Sequence, residues 1–459
     1  MFAHRTHRIA GSVLPLLLAS LPLPTHAMGS AASAADSAGG SPHSRATALP
    51  DLIAQALRDN PGLKAAAHQV RSLHAAPGHV WSLDPPRIGV EFYQAPIRSF
   101  PDPVKNQQEI DYSLQQTFPF PGKIASRIDA AHTHAQMGES DLEALERKLV
   151  REVKTDYYEL YLLDRRMEIN RQNQALMGRL VEITRRQYEV GLGRQADILR
   201  AQTEATNLRA DSLMLDQSRR ALQGMLNAFL DRPAILPLST PDSLEPARVE
   251  WSFDQIRPLL EANHPGLKSM QAGVRMRQAE GAMALREYWP DFTLGGTYKD
   301  MLRMPEGSHG GELRDYWSVK VDMSLPIALW SLPRYKAGVA QSDAGLAQAE
   351  AEYADARNLV FARAQAALSK AQGDAELVRL TRTVLAPQAG QALQSALSAY
   401  QGGKSDFMAL LDAYRMSLKA KENSETALTG LLAGQAALEE AVGLDLEEIG
   451  KRISGGAGK

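Results

Sequence analysis

The longest regular pattern in the chain lies between Pro121 and Gly191, where apolar residues recur at three- and four-residue steps with charged residues between them. The recurring positions include Leu142, Leu145, Leu149, Val153, Leu160, Leu163 and Met167. This spacing places the apolar side chains on one face and predicts an amphipathic or coiled-coil helix. Because a helix rises about 1.5 Å per residue, about seventy residues would extend roughly 100 Å, which no globular core requires.

A second rod is predicted from Leu332 to Gly402, in alanine-rich sequence that only Pro387 interrupts, and we expect a kink at that proline. Shorter helices, Gln195 to Leu230 and Ser405 to Val442, are predicted to run back along the rods. The pattern therefore predicts two long helices, each with a shorter antiparallel partner.

Alternating apolar and polar residues precede each rod. The alternating segments are Ile88–Tyr93, Ile110–Phe118, Phe292–Lys299 and Trp317–Leu325. A period of two residues is that of a β-strand with one apolar face, and each segment is close to the length that crosses a bilayer when tilted. Two ordinary hairpins in a soluble sheet would alternate in the same way. Aromatic residues near the ends of the apolar faces favour membrane strands.

Four strands are too few to close a membrane barrel, which needs about eight. An open edge in lipid would leave backbone groups without hydrogen-bond partners, so the barrel must be shared between copies of the chain. Two copies would supply eight strands around an interior filled by side chains, and three would supply twelve around a lumen. A conduit favours three copies.

The chain repeats one unit of roughly two hundred residues, far longer than the repeats of solenoids. The motif from Asn60 to Lys64 recurs as His264 to Lys268. The two copies lie in predicted amphipathic helices, Leu49–Arg71 and Phe253–Arg275. The predicted organisation is a signal peptide (1–27), a disordered leader (28–47), a first repeat of one helix, two strands and two helices (48–230), a linker (231–250), a second repeat (251–445) and a C-terminal tail (446–459).

Composition excludes several classes of function. The net charge is -2, so the chain has no basic excess for nucleic acid. The absence of cysteine excludes disulfides, thiolate metal sites, cysteine nucleophiles and a lipid anchor on cysteine. No catalytic or phosphate-binding motif occurs, and we predict no enzyme activity, cofactor or metal site. The apolar stretch Ile9–Leu21 after basic residues, followed by Thr25-His26-Ala27, predicts a cleaved export signal.

The duplicated order of elements, the two Pro-Gly-Leu openings and the Tyr-x-x-Gly turns at Tyr188 and Tyr400 resemble the TolC family of outer-membrane efflux proteins. The resemblance covers essentially all of the mature sequence. It implies a fold that is mainly α with membrane β: a homotrimer with a long α-helical periplasmic barrel and a twelve-stranded outer-membrane β-barrel, four strands per protomer. It also implies a passive duct in the outer membrane that extends into the periplasm. Its partners would be outer-membrane lipid, a periplasmic adaptor protein and an inner-membrane RND-type pump or ABC exporter.

In that family the helix reversals form the periplasmic entrance. The residues that the resemblance places at these turns are Tyr188, Gly191, Asp197, Tyr400, Gly403, Lys404, Ser405 and Asp406. The glycines permit the left-handed backbone that a sharp reversal needs. Asp197 matches the acidic residue that narrows the pore, where three symmetry-related carboxylates would attract cations; it could equally be a helix cap. Some members carry an arginine where this chain has Ser405, so the gate network does not transfer intact.

Phe118-Pro119-Phe120-Pro121-Gly122-Lys123 looks like the strand-to-helix junction of the heavy-metal-efflux branch, which includes CusC and CzcC. The absence of cysteine favours the CzcC-like kind. The predicted function is therefore the outer-membrane channel of a tripartite system that exports metal ions or small toxic compounds. Two alternatives stay open: the exit duct of a type I protein secretion system, and a non-conducting structural coiled-coil protein of the envelope.

Overall fold

The computed structural model describes residues 47–93, 97–99, 109–302, 314–325 and 330–456. The first half of this part contains α1 (Leu49–Asp59), α2 (Pro61–Val80), β1 (Arg87–Tyr93), β2 (Glu109–Phe118), α3 (Lys123–Glu189) and α4 (Gln195–Phe229). The second half contains α5 (Phe253–Asn263), α6 (Pro265–Arg286), β3 (Phe292–Met301), β4 (Tyr316–Met323), α7 (Leu332–Leu380), α8 (Ala386–Gln401), α9 (Phe407–Val442) and α10 (Leu446–Gly456). The predicted signal peptide, and the leader up to residue 46, lie outside the described residues.

The helix that opens each half is divided in two, which corrects the prediction of one continuous helix there. A proline disfavours helical backbone at the residue before it, and Asn60 and His264 accordingly have ψ angles of 121° and 116°. Both side chains then cap the next helix, since Asn60 Oδ1 accepts from Leu63 N at 3.0 Å and His264 Nδ1 accepts from Leu267 N at 3.2 Å.

The two rods and their return helices are confirmed. α3 is one helix of 67 residues, about 100 Å long at the standard rise. In the second rod the predicted break at Pro387 takes the form of a π-helical turn, Thr381–Leu385, between α7 and α8. The Ala386 amide donates to the Thr381 carbonyl, a wider ring than in an α-helix.

The long helices form a layer. α3 packs between α4 and α9, and α9 packs between α3 and α7, so α4 and α7 lie at the two edges. Nearer the strands, α3 packs against α2 and α6, and α6 packs against α7. No helix in the described ranges is both long enough and apolar enough to cross a membrane.

An extended segment, residues 231–252, crosses one face of this layer, and we call it the strap. Side chains of the helices hold its backbone: Arg219 donates to Leu238 O at 2.8 Å, and Gln435 donates to Ala247 O at 2.6 Å. The predicted C-terminal tail is corrected, because residues 446–456 form α10, whose Ile449 is fully buried in an apolar cluster with α5, α7 and α9.

The four strands form one antiparallel sheet in the order β1-β2-β3-β4. All four predicted strands are confirmed, with ends that differ by a few residues. β2 of the first half pairs with β3 of the second, from Glu109 opposite Met301 to Phe118 opposite Phe292. The two halves therefore share a single sheet, with β1 and β4 at its edges.

Candidate functional site

One face of the sheet is apolar and open. The exposed residues on it are Ile88, Val90, Phe92, Tyr112, Leu114, Phe118, Phe292, Leu294, Tyr298, Trp317, Val319, Val321 and Met323. Tyr112, Tyr298 and Trp317 form a row near one end, and Phe118 and Phe292 lie at the other, about 20 Å away along the strands. An apolar band between two aromatic rows is the pattern of a surface that faces lipid.

The opposite face of the sheet is polar and carries charge. Lys299 Nζ lies 3.0 Å from Glu109 Oε1 and 2.9 Å from Asp111 Oδ2, which joins β3 to β2. Thr117 and Thr293 share a hydrogen bond of 3.0 Å between their hydroxyls. Charged groups at this density require water or ion partners, so this face cannot be the one in lipid.

The predicted junction motif attaches the sheet to the helices. Lys123, only 2 % exposed, places Nζ 2.9 Å from Asp291 Oδ1, and the same oxygen accepts from Phe120 N at 2.8 Å. The rings of Phe120 and Trp289 stack with centroids 4.9 Å apart. The start of α3 is therefore bound to the start of β3, so the strand pair and the rod are held in one orientation.

The two helix reversals lie together at the far end of the rods. Gly191 and Gly403 have φ angles of +74° and +67°, which confirms the predicted left-handed backbone. The amides of these glycines donate to Tyr188 O at 3.0 Å and Tyr400 O at 3.1 Å, so both turns have the same hydrogen-bond pattern. The side chain of Gln187 donates to Gln401 O at 3.2 Å and connects the turns.

The predicted gate residues differ in their surroundings. Tyr400 is buried, and its ring meets Phe407 edge-on at 5.7 Å, whereas Tyr188 and Lys404 are exposed. The Tyr400 hydroxyl has no hydrogen-bond partner in the part of the chain described. Burial raises the pKa of Tyr400, and the negative charge of Asp197 raises it further.

Both predicted acidic residues act as helix caps. Asp406 Oδ1 accepts from Ala409 N at 2.9 Å at the start of α9, and Asp197 Oδ2 accepts from Arg194 N at 3.4 Å at the start of α4. Ser405 is half-buried, and its hydroxyl donates to Asp406 O at 3.4 Å. The capping alternative for Asp197 thus has structural support, and its gate role stays a prediction.

Sequence reasoning missed a second connection between the halves near this end. Arg415 on α9 donates two hydrogen bonds to Glu204 on α4, from Nε to Oε1 at 3.2 Å and from Nη2 to Oε2 at 2.7 Å. The signal that could have found it is the spacing of Asp197, Glu204 and Asp211, seven residues apart on α4. Seven residues is nearly two helical turns, so these carboxylates share a face.

The model of the family described as outer membrane efflux protein matches residues 52–230 and 257–444. This chain belongs to that family. Outer membrane efflux proteins are transport ducts, so this member is an outer-membrane channel protein that extends into the periplasm, and it is not an enzyme. The two matched ranges coincide with the two halves of the fold.

Known outer membrane efflux proteins resemble this one in sequence and fold. It is 20% identical over 320 residues to the outer membrane protein TolC of Vibrio cholerae serotype O1, which covers 69% of this chain and 72% of the relative. The outer-membrane channel OprN has a TM-score of 0.72 at 20% identity over 86% of this chain and 89% of its own. CusC has a TM-score of 0.74 at 17% identity over 86% and 92%. These likenesses confirm a TolC-like fold, a long helical domain with a β domain.

Proposed function

We propose that three copies of this outer membrane efflux protein form a passive export conduit, the outer-membrane part of a tripartite system. The observation that carries the proposal is the apolar face of the sheet, which is exposed while its reverse face holds paired charges. Four strands cannot surround a lumen, and both edge strands would leave backbone groups unpaired in lipid. Three copies supply twelve strands, enough for an open pore.

The edges of the helical layer support closure by a second copy. On α4 an exposed row of small and apolar residues follows the helix at three- and four-residue steps: Leu199, Thr203, Thr206, Ala210 and Leu213. On α7 the corresponding exposed row is Leu359, Ala362, Ala366, Ser369, Gly373, Leu377 and Leu380. Small side chains allow helices to approach closely, so α4 of one protomer is proposed to pack against α7 of the next.

The turns at the far end are the proposed docking point for an adaptor protein and its pump, of RND or ABC type. Val190 and Leu192 in the first turn are 68% and 73% exposed, about 100 Å from the sheet. Two apolar side chains on such a turn would be covered by another protein.

The junction motif that begins at Phe118 supports the heavy-metal branch, and we propose metal ions or small toxic compounds as substrates.

The purified full chain in detergent is expected to have the mass of three protomers by native mass spectrometry. Planar bilayers containing it should show discrete single-channel steps, because three copies enclose a lumen. The control is the same preparation after heat denaturation, which should give no steps. A polypeptide that is soluble and monomeric without detergent would contradict the conduit.

Asp197→Asn is expected to weaken block of this channel by spermidine, added on the side of the turns, roughly tenfold, because three carboxylates in a narrow ring attract a polyvalent cation. Asparagine keeps the shape of the side chain at the helix start. Glu189→Gln is the matched control, since Glu189 is an exposed carboxylate at the end of α3. Equal block in the wild type and Asp197→Asn would remove the gate role and leave only the cap.

A further inference from the structure

The two edge strands of the sheet carry charges of both signs on the polar face. On β1 this face holds Arg87 and Glu91, and on β4 it holds Lys320 and Asp322, all of them exposed. Lys320 Nζ lies 3.0 Å from Asp322 Oδ2, whereas Arg87 and Glu91 have no ion-pair partner among the described residues. Charges on each edge can therefore select how the edge of another copy aligns with it.

The register within one copy defines a line across the sheet. Arg87 pairs with Gln115 of β2, Gln115 pairs with Gly295 of β3, and Gly295 pairs with Lys320 of β4. Arg87 and Lys320 therefore lie at the two ends of one line perpendicular to the strands. In a barrel without strand tilt, the next copy would place its Arg87 opposite Lys320, and the two positive charges would repel each other.

Strand tilt shifts the next copy along the edge. Strands of membrane barrels lie about 35–45° from the barrel axis and about 4.8 Å apart, so four strands are about 19 Å wide. Over that width the tilt shifts the next copy by about 13–19 Å along the strand, which is about four to six residues. The shift must be an even number of residues, because an odd number would turn the polar face of one copy toward lipid.

Only one direction of this shift keeps the two edges paired. A shift of four residues toward the start of β1 would leave Arg87 opposite Tyr316 and no other residue of β1 opposite β4. A shift toward the end of β1 instead places Glu91, at four residues, or Tyr93, at six residues, opposite Lys320.

The charges favour the shift of four residues. At six residues Glu91 would face Asp322, and two carboxylates directly opposite each other are destabilising. At four residues Glu91 faces Lys320, which is the favourable pairing of opposite charges. Arg87 then lies diagonally from Asp322, at a separation that its long side chain can reach.

The same alignment suits both faces of the barrel. It pairs six residues of β1, 88–93, with residues 323–318 of β4 in the next copy. On the apolar face Val90 meets Val321 and Phe92 meets Val319, so the contact between copies places no polar side chain in lipid.

We propose that β1 of one copy pairs with β4 of the next copy in this register, with an ion pair between Glu91 and Lys320 on the lumen side of each junction. The partner is thus a second copy of this chain. The proposal rests on the proposed function, because these edges meet only in a closed barrel. It deepens that function by adding the contact that fixes the alignment of the copies.

Cross-linking between introduced cysteines tests the register in a chain that contains no cysteine of its own. Tyr93→Cys with Ser318→Cys places two thiols directly opposite each other between copies. A bifunctional thiol reagent with a two-carbon spacer should convert most of this variant to covalent trimers on denaturing gels, because two strands separate β1 from β4 within one copy. Gly89→Cys with Ser318→Cys is the matched control, displaced by about 13 Å along the strand, and should give less than about one-tenth of that product.

Charge reversal tests the ion pair. Glu91→Lys should lower the temperature at which trimers dissociate on gels by several degrees, since it places like charges opposite each other. Lys320→Glu alone should do the same. The variant that combines both changes should recover most of the loss, because opposite charges face each other again.

Equal cross-linking in the two cysteine pairs, or none in either pair although the protein has the mass of three protomers, would overturn the register while leaving the conduit intact. A combined charge variant that stays as weak as Glu91→Lys would overturn the ion pair. A preparation that forms no trimer contradicts the proposed function and this inference together.

Discussion

Val319→Arg is expected to keep the protein out of the outer membrane. Val319 is 61% exposed in the aliphatic row of the apolar face, between the two aromatic rows, and lies opposite Gly296 of β3. An arginine near the middle of a lipid-facing band costs roughly 2–4 kcal/mol in each protomer, and the proposed trimer would contain three such positions. Outer-membrane fractions should contain little or no trimer by immunoblotting of unheated samples.

Ser318→Arg is the matched control, one residue away on the same strand and on the polar face. Its side chain would meet Thr297 and the charged face rather than lipid, so membrane levels should stay close to those of the wild type. If both arginines abolish assembly equally, the assignment of the two faces is wrong. If neither does, the sheet does not contact lipid.

The strands were predictable because successive side chains of a strand point to opposite faces of the sheet, so two different surroundings produce alternating apolar and polar residues. Segments such as Trp317–Leu325 alternate so regularly that the residues sharing the apolar face could be predicted from the sequence. The pairing of β2 with β3 was not predictable, because it joins residues of different halves and depends on how α3 and α6 pack. Alternation identifies a face but not a neighbour.

The helices show where periodicity is insufficient. The rod from Pro121 to Gly191 was predicted almost to its ends, since no competing signal interrupts it. The division at Asn60 was missed because apolar spacing continues across it, although the following proline favours a boundary. α10 was missed and predicted as a tail, because its apolar residues Leu446, Ile449 and Ile453 have helical spacing over only 11 residues, too short a pattern to identify a helix.

At the turns, the backbone conformation could be predicted from the sequence, but the contacts between α4 and α9 could not. Gly191 and Gly403 were predicted from backbone sterics alone, and both are left-handed. The Arg415–Glu204 pair depends on the positions of α4 and α9 along α3, which side-chain packing decides. Sequence spacing could mark the α4 carboxylates as one row, but not what lies across from them.

Substitution of Glu439 is expected to cause a large loss in the stability of the helical domain, because this residue joins the two halves near the middle of α3. Its carboxylate pairs with Lys154 of α3, and the two side chains are only 13% and 15% exposed. Its other oxygen accepts from Leu446 N at 3.1 Å at the start of α10. Glu439→Leu leaves the Lys154 ammonium buried without its partner, which costs roughly 3–5 kcal/mol per protomer.

Thermal unfolding of the trimer, followed by circular dichroism in nanodiscs, should show a clearly lower midpoint for Glu439→Leu. Glu440→Leu is the neighbouring control, because Glu440 and its partner Arg151 are each about one-third exposed and such a pair contributes less than about 1 kcal/mol. Adding Lys154→Leu to Glu439→Leu should recover most of the lost stability, since two apolar side chains replace both charges. A midpoint that stays low in the double variant would mean that the hydrogen bond from Leu446 N, and not the ion pair between the halves, accounts for the lost stability.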